Sequence, residues 1–160
     1  NNSCPDVDIV FIDDIKENVV TNLNTDAWSK IMNHLLSNAL RFTNNLIEVR
    51  AKISNNRIVI TVHDNGIGIS QDDIKNVFNA FWHYEKTNRV NNASGFGLGL
   101  AVSRLLLYKM DMTVNIESEV NKFTTFSIST PICEKRLANE TILERTQDLN
   151  SSDIPSVENI

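Results

Sequence analysis

Between Leu46 and Val62 the chain alternates with a period of two. Ile47, Val49, Ala51 and Ile53 share one parity, while Glu48, Arg50 and Lys52 take the other. After the turn residues Asn55-Asn56 the pattern resumes with Ile58, Ile60 and Val62. This predicts an antiparallel hairpin with a single apolar face. The segment just before it offers a partner for that face. At about 100° per residue, Ile31, Met32, Leu35, Leu36, Ala39, Leu40 and Phe42 fill one broad arc of a helix. Asp26 is the expected cap, with the helix running from Ala27 to about Thr43.

The remaining elements fit around that pair. Residues 6–23 alternate loosely (Val7, Ile9, Phe11, then Val19 and Val20) and predict a strand pair or an extended lead-in. A short helix is expected after Ser70, with Asp72 and Asp73 in its first turn. Residues 84–94 are polar and rich in asparagine, and read as a loop. A helix follows from about Gly99 to Met110, then strands near Thr113–Ser118 and Phe123–Thr130. The class predicted is α+β: a two-layer sandwich with helices on one face of a mixed, mostly antiparallel sheet. The domain is expected to span residues 1–132, with 133–160 a polar C-terminal linker or weak helix.

Composition narrows the partners. Lys and Arg number 15 against 20 Asp and Glu, a net charge of −5, and no basic cluster stands out. Nucleic acid is therefore not an expected partner. No apolar run reaches the roughly 18–20 residues that span a bilayer, so no direct membrane contact is expected of this chain. Cys4 and Cys133 lack C-x-x-C spacing, and a reduced protein is the simpler expectation. The opening at Asn1, without methionine, is what an excised piece of a longer protein would show, with any membrane segment elsewhere in the parent.

Three stretches carry chemistry. On helix 28–43, His34, Asn38 and Arg41 line one rim of the apolar arc. An amide oxygen there can hold Mg²⁺ as a hard ligand and a guanidinium can pair with phosphate, although a polar border on an amphipathic helix explains the same pattern. In 64-DNGIGI-69, Asp64 shares parity with Ile58, Ile60 and Val62 and so points towards the apolar face. A carboxylate aimed inward needs a hydrogen-bond donor, which the exocyclic amine of a base would supply. Gly66 and Gly68 permit close approach of a flat ring, and a plain Asx-Gly turn is the alternative. In 95-GFGLGL-100, Gly95, Gly97 and Gly99 lead into a helix whose free amides favour phosphate. No G-K-[ST] follows, and the dinucleotide spacing fails. Between the last two stretches, Phe78 and Phe81 stand three apart, the spacing of a small aromatic anchor on a helix or of ordinary core. An anchored hinge, a polar loop and a phosphate cradle in succession suggest a lid.

In this order the stretches resemble the histidine-kinase branch of the Bergerat-fold ATPases, the superfamily of gyrase, heat-shock chaperones and mismatch-repair ATPases. N-H-L-L-S-N-A-L-R-F-T looks like the N box, D-N-G-I-G-I the first glycine box, F-N-A-F the phenylalanine box and G-F-G-L-G-L the second glycine box. The strand T-T-F-S-I-S-T-P resembles the family's closing strand, and the likeness runs from about residue 7 to Ile132. It implies ATP and Mg²⁺ as ligands. Asn38 would hold the metal, Arg41 and His34 would stand at the phosphates, and Asp64 would accept from the adenine amine. Gly66, Gly68 and Ile69 would shape the base pocket, and Phe81, Gly95, Gly97, Leu98 and Gly99 would also contact the nucleotide. Thr124, which shares parity with Phe126 and Ile128, would be the polar group at the base.

The departures bear on the reaction. His34 stands where the kinase pattern most often has asparagine and where gyrase-type members have a catalytic glutamate, which favours a kinase over a direct ATPase. Its role stays open between phosphate contact, proton transfer and packing. Phe123 stands where glycine is usual. None of His34, His63 and His83 lies in the H-[ED]-x-[RK] context of a phosphoacceptor. The resemblance thus implies the catalytic part of a cytoplasmic sensor histidine kinase region. Its partner would be the parent's dimerisation and phosphoacceptor helical hairpin, with a response regulator reached indirectly. A non-catalytic nucleotide-gated module, and a serine kinase or anti-sigma regulator of the same superfamily, are the alternatives.

Overall fold

The computed structural model describes residues 6–82 and 96–136. Strand β1 (Asp8–Asp13) and the short β2 (Asn18–Val20) precede helix α1 (Thr25–Phe42). The hairpin follows as β3 (Leu46–Ser54) and β4 (Arg57–Asp64), then the one-turn helix α2 (Gln71–Ile74). Helix α3 (Gly99–Lys109) leads into β5 (Thr113–Glu119), β6 (Phe123–Pro131) and the short β7 (Glu134–Arg136).

The main sheet has five strands in the order β1-β3-β4-β6-β5. Only β1 and β3 run parallel, and the other pairs are antiparallel. With α1 and α3 packed on one face, this is the α+β two-layer sandwich expected from the sequence. The β3–β4 turn falls at Asn55 and Asn56, whose φ values of 51° and 57° give the doubly left-handed turn that matches strand twist.

Register lays the buried face out in rows. Val49, Val62, Phe126 and Ile116 lie side by side across β3, β4, β6 and β5, followed by Ala51, Ile60, Ile128 and Val114. Ile31, Leu35 and Ala39 of α1 and Leu107 of α3 close over them. The next row in the other direction is Ile47, Asp64, Thr124 and Ser118, where the buried face turns polar at one end. On the opposite face His63 sits beside Thr125, its Nδ1 2.8 Å from the threonine hydroxyl, and stacks on Phe123. Phe123 thus has its own partner, and the β5–β6 ladder runs unbroken up to it.

Several local expectations differ from the structure. Asn24, not Asp26, caps α1: its side chain accepts from the Ala27 amide at 2.9 Å, and the helix begins at Thr25. Leu40, placed in the apolar arc, is half exposed because it lies at that arc's outer edge. β1 and β2 do not pair with each other; β1 joins β3 and β2 joins β7. The start of the stretch read as linker or weak helix is therefore a strand, Glu134–Arg136, while residues 137–160 lie outside those described. Among the described residues no helix is long and apolar enough to cross a membrane.

Replacing Asn24 with alanine should lower stability by about 1 kcal/mol, and Asp26→Ala by roughly 0.5 kcal/mol through the helix dipole alone. Urea unfolding of the two variants checks the cap: the reverse ranking would restore Asp26.

Candidate functional site

The polar end of the buried face lies where β4 runs out into the D-N-G-I-G-I loop. Asp64 is 4% exposed. Its Oδ1 accepts from the Gly66 amide at 3.0 Å, and Oδ2 has no hydrogen bond among the described residues. Burial pushes its carboxyl up to about 6, against the pull of the Gly66 amide, which favours the charged form. Thr124, 5% exposed, is its neighbour on β6, as parity required.

The loop beyond Asp64 is pressed against its surroundings on two sides. A side chain at Gly66 would place its Cβ 2.0 Å from the Phe42 carbonyl oxygen, the last residue of α1. At Gly68, where φ is +65°, a Cβ would lie 2.0 Å from the Glu119 carbonyl oxygen. No residue but glycine fits either place. The Ile67 amide donates to Phe42 O at 3.2 Å, and the Ile69 amide to the Ser118 hydroxyl at 2.8 Å.

Asn65, between the two residues that drew attention in the sequence, acts as a clasp. Its Oδ1 accepts from the Thr43 hydroxyl and from the Asn45 and Leu46 amides, and its Nδ2 donates to Asn45 Oδ1 at 2.7 Å. It is spent on holding the loop to the end of α1.

Helix α1 joins the two glycine segments. Residues 34, 38 and 42 stack at four-residue spacing, about 6 Å apart along the axis. At one end His34 lies beneath Gly99, whose Cβ would meet the imidazole at 3.4 Å. At the other, the Phe42 carbonyl meets Gly66 and Ile67. Asn38 stands between, half-buried, with no side-chain hydrogen bond among the described residues. Arg41 lies over the Phe42 ring at 5.3 Å and has no ion pair among the described residues. His34 Nδ1 is 3.0 Å from the hydroxyl of Ser103, a buried residue of α3, so His34 ties the two helices together.

Among the described residues the N-terminus of α3 has no side-chain cap. Asn24 and Ser70 cap α1 and α2 with their side chains, but Leu98 makes no such bond. Uncapped amides at a helix start of this kind favour an anion.

The aromatic pair divides. Phe78 packs on the core, edge-to-face with Phe126 at 6.5 Å. Phe81 does not join it: it is 69% exposed with φ at +66°, because the chain there is a series of turns instead of a helix. Its backbone still matters, since the Phe81 amide donates to the Gly97 carbonyl at 3.0 Å and brings the two flanks of the intervening segment together. Gly95 and the expected lid from His83 to Ser94 lie outside the described residues.

Sequence reasoning missed Asn65 and Ser118. Ser118 shares parity with Val114 and Ile116, and that was the available signal.

Comparison with known proteins places the chain. Residues 24–134 match the family model described as histidine kinase-, DNA gyrase B-, and HSP90-like ATPase. Sensor histidine kinase YclK of Bacillus subtilis (strain 168) is 32% identical over 124 residues, covering 76% of this chain and 26% of YclK. The chain thus spans about a quarter of that curated relative. Among solved structures, full-length ShkA in complex with AMPPNP aligns with a TM-score of 0.68 at 22% identity, over 82% of this chain and 27% of ShkA. The catalytic domain of histidine kinase ThkA aligns with a TM-score of 0.64 at 18% identity, over 78% of each chain. The structural likeness defines the fold, a two-layer α+β domain. The chain belongs to the histidine kinase-, DNA gyrase B-, and HSP90-like ATPase family, and the curated relative it resembles is a sensor histidine kinase.

The buried carboxylate has a measurable cost. A folded-state value near 6, above the unfolded 3.8, means that the folded chain holds this proton more tightly. The stabilisation is full below about pH 4 and is lost as pH rises through 6. Without nucleotide, Asp64→Asn should therefore be more stable than the parent at pH 7.5, by about 1–3 kcal/mol, and lose that advantage at pH 4. Thermal unfolding at the two pH values checks this; a parent as stable as the variant at pH 7.5 would contradict an unpaired buried carboxylate.

Proposed function

We propose that the chain binds Mg-ATP and supplies the catalytic half of a sensor histidine kinase, passing the γ-phosphoryl group to a histidine on a separate helical hairpin. The observation that carries this reading is Asp64, a buried carboxylate with one oxygen unpaired, standing at the polar end of the core beside Thr124. A carboxylate so placed is costly unless a donor meets it, and the 6-amino group of adenine is such a donor. The base would lie over Gly66 and Gly68, where a side chain is sterically impossible. The triphosphate would extend along α1 past Asn38 to the uncapped N-terminus of α3, whose amides stabilise negative charge.

The residues present fit a Mg²⁺ ion held chiefly by phosphate and water. Asn38 offers one hard oxygen, and no cluster of three or more His, Cys, Asp or Glu among the described residues forms a protein cage. When bound, the ion would neutralise charge on the phosphates. Asn38 is the residue that would hold it, and Arg41 would approach the same oxygens.

In the transfer itself the acceptor imidazole nitrogen attacks the γ-phosphorus while the bond to the β-phosphate oxygen breaks, leaving ADP. The nucleophile comes with the hairpin, so this chain needs no strong base. Its contribution is position and charge. His34 fits that division of labour, because its Nδ1 is engaged by Ser103 and it links α1 to α3. The response regulator would take the phosphoryl group from the hairpin in a later step, away from this chain.

Calorimetric titration with a non-hydrolysable ATP analogue should show saturable binding, weaker when Mg²⁺ is chelated. Asp64→Asn should weaken it by about 1.5–3 kcal/mol, the worth of a hydrogen bond to a charged group. The chain alone should gain no acid-labile phosphate from ATP, and adding the parent's hairpin should label the hairpin histidine. Binding without labelling would leave a nucleotide-gated module; no binding at millimolar nucleotide would remove the reading altogether.

A further inference from the structure

We infer that Ser118 is a positioning residue that fixes the direction of the Thr124 hydroxyl and so makes the site favour a 6-aminopurine over a 6-oxopurine. The inference rests on the adenine site proposed above and deepens it.

A serine hydroxyl has one hydrogen to donate and two lone pairs to accept with. In Ser118 all three are committed. Its hydrogen goes to the Phe123 carbonyl at 2.7 Å, and one lone pair receives the Ile69 amide at 2.8 Å. The third contact is with Thr124 Oγ1 at 3.1 Å. With the serine hydrogen already given to a carbonyl, which can only accept, Thr124 must be the donor in that contact. The Thr124 hydroxyl therefore has only lone pairs left to offer a ligand. Both residues are buried, so no bulk water reorients them.

Asp64 stands beside Thr124 in register and, when ionised, is also acceptor-only. The wall that meets the edge of the base then offers acceptors from both residues. An exocyclic amine, a pure donor, matches it directly. A 6-oxopurine presents an acceptor at the same place, and two acceptors facing each other leave both unpaired, the kind of mismatch that discriminates most strongly. Removing the Ser118 hydroxyl frees the Thr124 hydrogen to turn towards a 6-oxo group.

The test compares ADP with IDP, which differ at the 6-position and in the proton that N1 carries in IDP, and which need no turnover. Both are titrated into the parent chain, Ser118→Ala, Ser118→Thr and Thr124→Val, with thermal unfolding run alongside. The parent should prefer ADP. In Ser118→Ala the preference should shrink about tenfold, the factor carried by about 1.4 kcal/mol for one mismatched buried hydrogen bond. Ser118→Thr, which keeps the hydroxyl, should retain the parent's ratio. Equal weakening of both nucleotides in Ser118→Ala would overturn the inference and leave Ser118 as a support for the loop. If Ser118→Ala does not fold, Thr124→Val decides: its ratio must also shrink, and an unchanged ratio overturns the inference. A parent that binds ADP with no preference over IDP sinks this inference alone, whereas a parent that binds neither takes the adenine site down with it.

Discussion

The last carbonyl of α1 rests on the backbone of the loop that follows β4, and most of the candidate site is fixed by that contact. At Gly66 there is no room for even a methyl group, since its carbon would sit 2.0 Å from Phe42 O. The Ile67 amide bonds to the same oxygen, and Asn65 clasps the turn between α1 and β3 from the other side. The end of β4 and the end of α1 are thereby held as one body. Because α1 is a single helix, fixing its C-terminus also fixes where Asn38 and His34 stand relative to Asp64. Ile69, at the far end of the loop, is held independently by Ser118 of β5. A loop with small residues and a turn signature could be a flexible connector; here it is clamped at both ends.

The position of the site within the core follows from sheet register. Two successive rows across β3, β4, β6 and β5 are wholly apolar, and the third replaces three of its four members with Asp64, Thr124 and Ser118. An apolar row there would be better for stability, because a carboxyl held near 6 by burial is a group the fold disfavours at neutral pH. Under the proposed function, the adenine amine is the donor that would use it. The same row is also where the glycine loop closes on the end of α1 and on β5, so the polar atoms and the tightly held loop coincide.

Much of this was legible in the sequence because it depends on local period. Parity aimed Asp64 and Thr124 inward, Asn55-Asn56 placed the turn, and the order of the glycine stretches gave the family. What failed depends on pairing or on a single backbone angle. Asn24 and Asp26 are both good caps, and only the actual start of the helix distinguishes them. The separate partners of β1 and β2 are non-local and leave no trace in a period of two. Phe81 has a spacing from Phe78 that would join them on a helix, but turns occupy that stretch and its φ is positive. Ser118 showed the right parity, yet its role exists only because register sets it beside Thr124 while Ile69 arrives from a loop distant in sequence.

His34 shows how one residue can be read two ways until its partner is known. In the sequence it stands where a base for water would stand in hydrolysing relatives of the family, and an imidazole is a chemically plausible substitute. The structure gives its Nδ1 a buried serine on the neighbouring helix and puts its ring beneath Gly99. A side chain packed against a helix start is well placed to set the angle at which that helix's uncapped amides point. Under the proposed transfer to an incoming imidazole, that angle would be what the domain has to control, because the nucleophile would arrive with its own lone pair and the transition state would call chiefly for alignment and charge stabilisation. Holding α3 at the correct pitch and supplying a base are alternative uses of the same place on α1. The contact of His34 with Ser103 fits the first.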